Sequence, residues 1–452
     1  MNRNHLASLS QFVANLTYTE IPPDVVTRIK YSVLDTLGCG IYGNRTQWGR
    51  IIGDYAAACE GTSALWGRSE TADLEHAVMA NATMVHSFEL DDLHLPSRSH
   101  PGGITVPVAL ALAEAHGGVS GSDFIASVAA GYEVLIRVGM AQGVSSFNRG
   151  WHPTGTAGPF GAAATASRLL RLSVNQTQDA LGIAGTMPCG LMAAQYGAMV
   201  KRLYAGHASS TGVLAARLAQ KGFTGIPDIF DAEFGGYLSA VSDESDASYL
   251  TSGLGTSFRI LETGYKLYSC VGASHTAIDA TRRVLETHGL GAANIRSVRV
   301  VTSEYQRTHA GWQYVPGTVM AAQMSIQYCV AAMVLFRDVF VDQFTEQMLV
   351  DDRLLDLAQR VNVEADVTQS PHDRRAMVEV TLIDGTRLSA TSDFAKGHPD
   401  NPATWNDISS KFLNLASKVL PESTCRALVT EVEKLEECDD VTRCVQLLKG
   451  GR

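Results

Sequence analysis

The chain has 452 residues, 45% of them hydrophobic and 18% charged, which describes an ordered globular protein of two or three domains and excludes a disordered or fibrous one. A formal net charge of −10 argues against a nucleic-acid partner, because counterion release needs a densely basic surface. It leaves room for an anionic substrate, since a local basic pocket acts within a Debye length of roughly 8 Å.

Met1 to Ile21 alternates polar and apolar residues and lacks the apolar core of a secretory signal. The most apolar windows, Ile104–Ala115 and Phe124–Val138, carry Glu or Asp or fall short of the roughly 20 residues that span a bilayer. A cytoplasmic protein without a membrane partner is therefore expected. Helical spacing of apolar residues predicts helices over Val25–Gly38, Ala72–Phe88, Ile104–His116, Ser122–Val138, Thr156–Arg171, Val174–Ala184 and Leu203–Gln220. Several start near Pro or Ser/Thr and stop at Gly, the usual capping signals. Small residues, as in Gly161 to Ser167, let such helices pack backbone to backbone. After about Ser257 the texture changes. Ile295–Ser303 alternates as a strand does, and Met377–Ile383 with Arg387–Thr391 flanks Asp384-Gly385, a hairpin signal. Helical patterns at His275–His288 and Val319–Phe336 lie between them, and Trp405–Leu447 returns to amphipathic helix.

The predicted fold is mainly α: a large all-helical domain formed by both chain ends, residues 1–257 and 395–452, with a smaller inserted α+β lid domain, residues 258–394. The eight cysteines (Cys39, Cys59, Cys189, Cys270, Cys329, Cys425, Cys438 and Cys444) are scattered without a Cys-x-x-Cys pair, the pattern of reduced thiols. No His-Glu-x-x-His, Walker or Gly-x-Gly-x-x-Gly fingerprint stands in a fitting context, so no metal and no cofactor is expected.

Chemistry-bearing residues gather at breaks between helices. Glu89 to Gly103 holds three carboxylates, two histidines and an arginine, then enters a helix through Pro101-Gly102-Gly103. Free N–H groups at that helix start would attract an anion. Each further segment has an ordinary explanation when taken alone. His152, in Gly150-Trp-His-Pro-Thr-Gly155, could cap the following helix. Lys201-Arg202 could be a solvated turn, and Lys266 a snorkelling lysine.

Together these segments resemble the MmgE/PrpD family of cofactor-independent lyases and isomerases, which includes 2-methylcitrate dehydratase, cis-aconitate decarboxylase and iminodisuccinate epimerase. The matching stretches are Glu89-Leu-Asp-Asp-Leu-His94 with His100, Gly150-Trp-His152 and the run from Cys189 to Arg202. Lys266-Leu-Tyr-Ser-Cys270, His309-Ala-Gly-Trp312 and Gln323 to Tyr328 continue the resemblance over nearly the whole chain. The first loop and the Gly190-Leu-Met-Ala-Ala-Gln-Tyr-Gly197 run are most similar to the cis-aconitate decarboxylase branch. The resemblance implies a homodimer, a site between the domains and a small polycarboxylate substrate. It also implies His100 and Lys201 as catalytic groups, with Asp91, His94, His152 and Lys266 binding substrate.

Decarboxylating, dehydrating or epimerising a polycarboxylate can each pass through a carbanion delocalised into a carboxylate. Fixed cations must absorb that charge, and one lysine contact at about 4 Å is worth on the order of 4 kcal/mol at an effective dielectric near 20. Lys201 and Lys266 are the candidates, with Arg202 a weaker third. A histidine titrates near neutrality and is suited to moving the proton at carbon, so His100 is the expected acid–base group, oriented by Asp91 or Asp92. The expectation is a cis-aconitate decarboxylase. Iminodisuccinate epimerisation, 2-methylcitrate dehydration and a non-catalytic carboxylate-binding role stand as alternatives.

Overall fold

A computed structural model describes residues 5–370 and 373–450. Met1 to Asn4, part of the N-terminal stretch read above, lie outside the described residues. The protein is mainly helical and divides into two compact units, Met1–Gly264 with Thr404–Arg452, and Tyr265–Ala403.

The first unit contains helices α1 (His5–Asn15), α2 (Pro23–Gly43), α3 (Gln47–Ala57), α4 (Leu74–Val85), α5 (Gly102–His116), α6 (Gly121–Asn148), α7 (Pro153–Leu169), α8 (Val174–Ala184) and α9 (Val200–Gln220). α1 and α3 escape the sequence reading. Their apolar residues are few per turn, and Leu6, Leu9 and Val13 are recognisable as one buried face only once α8 lies against them. Two minimal ribbons complete the local framework, β1 (Ser63–Ala64) with β2 (Thr71–Ala72) and β3 (Leu93–His94) with β4 (Thr263–Gly264).

The small residues act as expected. α7 packs against α6 and α9, and α4 also lies against α9. A Cβ at Gly161 would stand 2.6 Å from the Leu135 Cβ, and one at Gly206 would collide with the Met79 carbonyl and the Thr83 hydroxyl. Glycine is required at both places because the helix backbones touch there.

α6 corrects one expectation. It is long and apolar enough to cross a membrane by length and composition, whereas the sequence windows fell short. In the fold, 94% of its most apolar window is buried inside the protein. The buried Glu133–Arg137 pair on this helix, at 3.1 Å, has a bracing use. Arg137 donates to the carbonyls of Tyr249, Ser252 and Ser257, and Glu133 accepts from the Ile260 N–H. Gly143 (φ 68°, ψ −173°) then breaks the helical path.

Helix Trp405–Ala416, which is followed by helices Glu422–Glu433 and Thr442–Leu448, packs on α2. Its buried Lys411 donates to Asp35 and to the Leu90 carbonyl, each at 2.6 Å, so the chain's end supports the loop that follows α4.

The second unit is built on a four-stranded sheet of β5 (Ile295–Thr302), β6 (Val361–Ala365), β7 (Ala376–Leu382) and β8 (Arg387–Ser392), in the order β6-β5-β7-β8. β5 and β6 run parallel and the other pairs antiparallel. β7 and β8 form the expected hairpin, with Gly385 at φ 92°. Helix His275–Thr287 packs on β7 and β8. The expected helix over Val319–Phe336 is two, Val319–Gln323 and Ile326–Phe336, because Ser325 caps a new start by accepting from the Tyr328 N–H.

Candidate active site

α4 ends at Val85, and the chain turns through His86, Ser87, Phe88 and Glu89 into the polar loop. Glu89 sits at φ 55°, a left-handed conformation that costs a residue with a Cβ about 1 kcal/mol or more. Its carboxylate explains why the turn holds. Oε1 accepts from Lys201 Nζ at 2.6 Å and from Arg202 Nη1 at 2.7 Å, both on the first turn of α9. Lys201-Arg202 is therefore no solvated turn: Arg202 is 2% exposed and also donates to the His86 carbonyl at 3.2 Å.

The next two carboxylates have different environments. Asp91 faces imidazoles: its Oδ2 is 2.6 Å from His86 Nδ1 and 3.3 Å from His100 Nδ1. Asp92 turns inward, accepting from Tyr132 Oη at 2.7 Å and from the Gly102 N–H at 3.0 Å. The start of α5 was expected to seat an external anion. The correction is that Asp92 already occupies it. Burial pushes the Asp92 carboxyl up to about 8, with Asp35 and Asp91 adding to the rise against the hydrogen bonds of Tyr132 and Gly102.

His100 is pinned by the Asp92 backbone, with Nδ1 2.6 Å from that carbonyl. A carbonyl only accepts, so Nδ1 carries the hydrogen and Nε2 is the atom left to take or give a proton. Its side chain is 12% exposed against 2% for that of His86, so His100 is the more open of the two.

His152 stands at the N-cap of α7, yet its side chain caps nothing. The chain brings it in through its N–H bond to the Gly190 carbonyl at 3.0 Å. Its ring lies 5.7 Å from that of His86 and 5.3 Å from that of Tyr204, and its Nδ1 is buried without a hydrogen-bond partner. Burial first, then the nearby His86, Lys201 and His100, holds His152 well below the usual imidazole range, so it is neutral at pH 7.

The first unit thus brings together Asp91, His100, His152 and Lys201. His94 goes elsewhere: its Nδ1 is 2.8 Å from Ser97 Oγ, its Nε2 is 3.4 Å from Glu262, and its backbone pairs with Thr263 in β3 and β4. Lys266 belongs to the second unit, where it is buried next to Tyr265, whose N–H donates to the Gly397 carbonyl. The residue that sequence reasoning missed is His86. It falls inside the helix expected over Ala72–Phe88 and turns out to be the C-cap of α4, and its only signal is a position five residues before Asp91.

Among the described residues, two groups of donor atoms have the spacing of a cation site. His86, Asp91 and His100 lie within 4.8 Å of one another, as do Cys59, Asp73 and His76. In the first group the Nδ1 of each imidazole is already engaged, that of His86 by Asp91 and that of His100 by the Asp92 carbonyl. In the second, Asp73 caps α4 and holds His76 Nδ1 at 2.6 Å.

Chemically, the first-unit cluster offers a proton-bearing imidazole with a fixed tautomer, a neutral imidazole and two clustered cations. Residues 7–250 match the MmgE/PrpD N-terminal domain and residues 268–437 the MmgE/PrpD C-terminal domain. The chain is 31% identical to the cis-aconitate decarboxylase-like protein oryM of Aspergillus oryzae, over 99% of this chain and 98% of that relative. It is 30% identical to a cis-aconitate decarboxylase of Aspergillus terreus, over 98% of this chain and 95% of the relative. Identity to the cis-aconitate decarboxylase of Mus musculus is 28%, over 98% and 93% of the two chains.

Proposed function

This chain belongs to the MmgE/PrpD family and is a lyase of that type, and from that premise we propose that it decarboxylates cis-aconitate to itaconate without a cofactor. The observation that carries the reading is the position of His100. Its Nδ1–H is spent on the Asp92 carbonyl beside Asp91, within a cluster that also holds His152, Lys201 and Arg202.

The reaction breaks the bond between the substrate's methylene carbon and its carboxylate, releasing carbon dioxide. The bonding electron pair enters the adjoining double bond and delocalises onto the carboxylate at its far end. A proton then arrives at the carbon next to that carboxylate, leaving the terminal methylene of itaconate. In this scheme His100 Nε2 delivers the proton, because Nδ1 is held. Lys201 shares its charge between Glu89 and the substrate carboxylate that becomes electron-rich. His152, neutral in a buried position, offers a hydrogen bond without adding a second fixed charge. Lys266 is proposed as a further carboxylate clamp.

The test is product analysis by NMR of purified protein incubated separately with cis-aconitate, 2-methylcitrate and iminodisuccinate. Itaconate and one equivalent of carbon dioxide from cis-aconitate alone support the proposal. Water loss from 2-methylcitrate, or deuterium exchange into iminodisuccinate, would move the assignment to the corresponding relative chemistry. Binding of all three without turnover would refute the enzymatic reading.

A further inference from the structure

His86 Nδ1 and His100 Nδ1 converge on the same oxygen, Asp91 Oδ2, at 2.6 and 3.3 Å. One carboxylate oxygen therefore serves two imidazoles, and serves them unequally. The rings lie 4.8 Å apart at 63° to each other. The second nitrogen of His86, Nε2, is buried with no hydrogen-bond partner. A ring kept for packing alone would carry that desolvated nitrogen at a loss, whereas a phenyl or leucyl group would fill the same space without it.

We propose that His86 is a positioning residue for the proton step: by holding Asp91, its Nδ1–H sets how tightly His100 keeps its proton. With His86 donating at 2.6 Å, the Asp91 oxygen is engaged, and His100 makes its shorter bond to the neutral Asp92 carbonyl. Without that donor, the carboxylate is released toward His100, and an opposite charge at closer range favours the imidazolium form. An imidazole that holds its proton more tightly transfers it to carbon more slowly.

The other charged and titratable groups around the pair come from several elements. Arg202 on α9 bonds the His86 carbonyl, and Lys201 and Glu89 complete that cluster. His152 faces His86 from the start of α7. Below the loop lie the Asp92 carboxyl, the Asp35–Lys411 pair and Cys39 on α2. All of them are retained in the variants that address His86.

The kinetic half of the test rests on the reading of His100 as the acid–base group; the spectroscopic half does not. His86→Asn keeps an N–H close to the place of Nδ1, and His86→Leu removes it. The His100 imidazole is titrated by NMR in histidine-labelled full-length protein, its signal identified by loss in His100→Gln. His86→Leu should raise the His100 midpoint by about one pH unit. It should also move the alkaline limb of kcat upward and lower kcat about tenfold at neutral pH, with KM changed less than about threefold. His86→Asn should restore both the midpoint and kcat. If His86→Leu does not fold, Asp91→Asn decides, because deleting the shared charge must lower the His100 midpoint. An unchanged His100 midpoint in the folded Leu variant, or in Asp91→Asn, overturns the proposal, as does an Asn variant that behaves like Leu. If the midpoints move as stated but the wild-type protein makes no itaconate, the coupling stands and the decarboxylase reading fails.

Discussion

Lys201→Met keeps the side chain's reach and removes its charge, and the structure separates its effect on stability from its effect on turnover. The ammonium lies 2.6 Å from Glu89 Oε1, and that same oxygen accepts from Arg202 at 2.7 Å. Glu89 therefore keeps a cation after the substitution. The expected loss of stability is about 1 kcal/mol, well below the 3–5 kcal/mol typical of a buried charge left alone. The unfolding midpoint should fall by no more than about 2–4 °C. Turnover should suffer far more. An ammonium about 4 Å from an electron-rich carboxylate contributes on the order of 4 kcal/mol at an effective dielectric near 20. Only the part gained on the way to the transition state accelerates the reaction. If half of it is gained there, kcat falls about 30-fold, and if all of it, about 1000-fold. Steady-state itaconate formation, measured beside thermal unfolding of the same preparation, tests both numbers. A fall in kcat of less than about threefold with the fold intact would refute the electrostatic argument. A midpoint lowered by more than about 10 °C would make Lys201 a structural residue instead.

Glu89→Gln should act the other way, costing about 3 kcal/mol in urea unfolding because Arg202, 2% exposed, and Lys201 both lose their carboxylate; a loss under about 1 kcal/mol would contradict this. Lys266→Met should raise KM for cis-aconitate about tenfold or more with a smaller change in kcat, and unchanged kinetics would remove it as a clamp. Asp92 gives a pH prediction. Its folded value of about 8 lies above the unfolded value of about 3.9, so between them the native chain keeps a proton that the unfolded chain has released. Its contribution to stability falls as pH rises from about 4 to about 8 and levels off above that. Asp92→Asn does not titrate, so urea unfolding should show the variant gaining on the wild type between about pH 5 and about pH 8, and a constant gap would contradict the assignment.

Much of the helical framework is legible because burial and period coincide. α5 and α7 to α9 carry small or apolar residues at helical spacing, α8 opens on a Ser173–Gln176 capping box, and the Asp384-Gly385 hairpin follows from turn chemistry alone. β6 is not read from the sequence: Val361 to Ala365 is a short run of which only Val361 is buried, and it is a strand because β5 offers it a parallel partner. At the site, residue types marked segments but not the partners each side chain would find. A carboxylate in sequence cannot announce whether it will face solvent, a helix start or two imidazoles. Asp91 and Asp92 are adjacent yet face different partners, Asp91 the His86 imidazole and Asp92 the Tyr132 hydroxyl. The same limit hid His86, whose helix-end position looks like core until Asp91 folds back on it. His94 illustrates the converse, a motif residue whose ring is engaged by Ser97 and lies near Glu262.

The central claim is that an imidazole delivers the proton that replaces a departing carboxylate. Turnover of cis-aconitate in deuterium oxide tests it most directly, with mass and NMR analysis of the itaconate and a parallel reaction by His100→Ala. The wild-type protein should place one deuterium on the methylene carbon beside a carboxylate for each carbon dioxide released. His100→Ala should still bind substrate but lose about 100-fold or more in kcat. Full deuterium incorporation and full turnover in that variant would contradict the account.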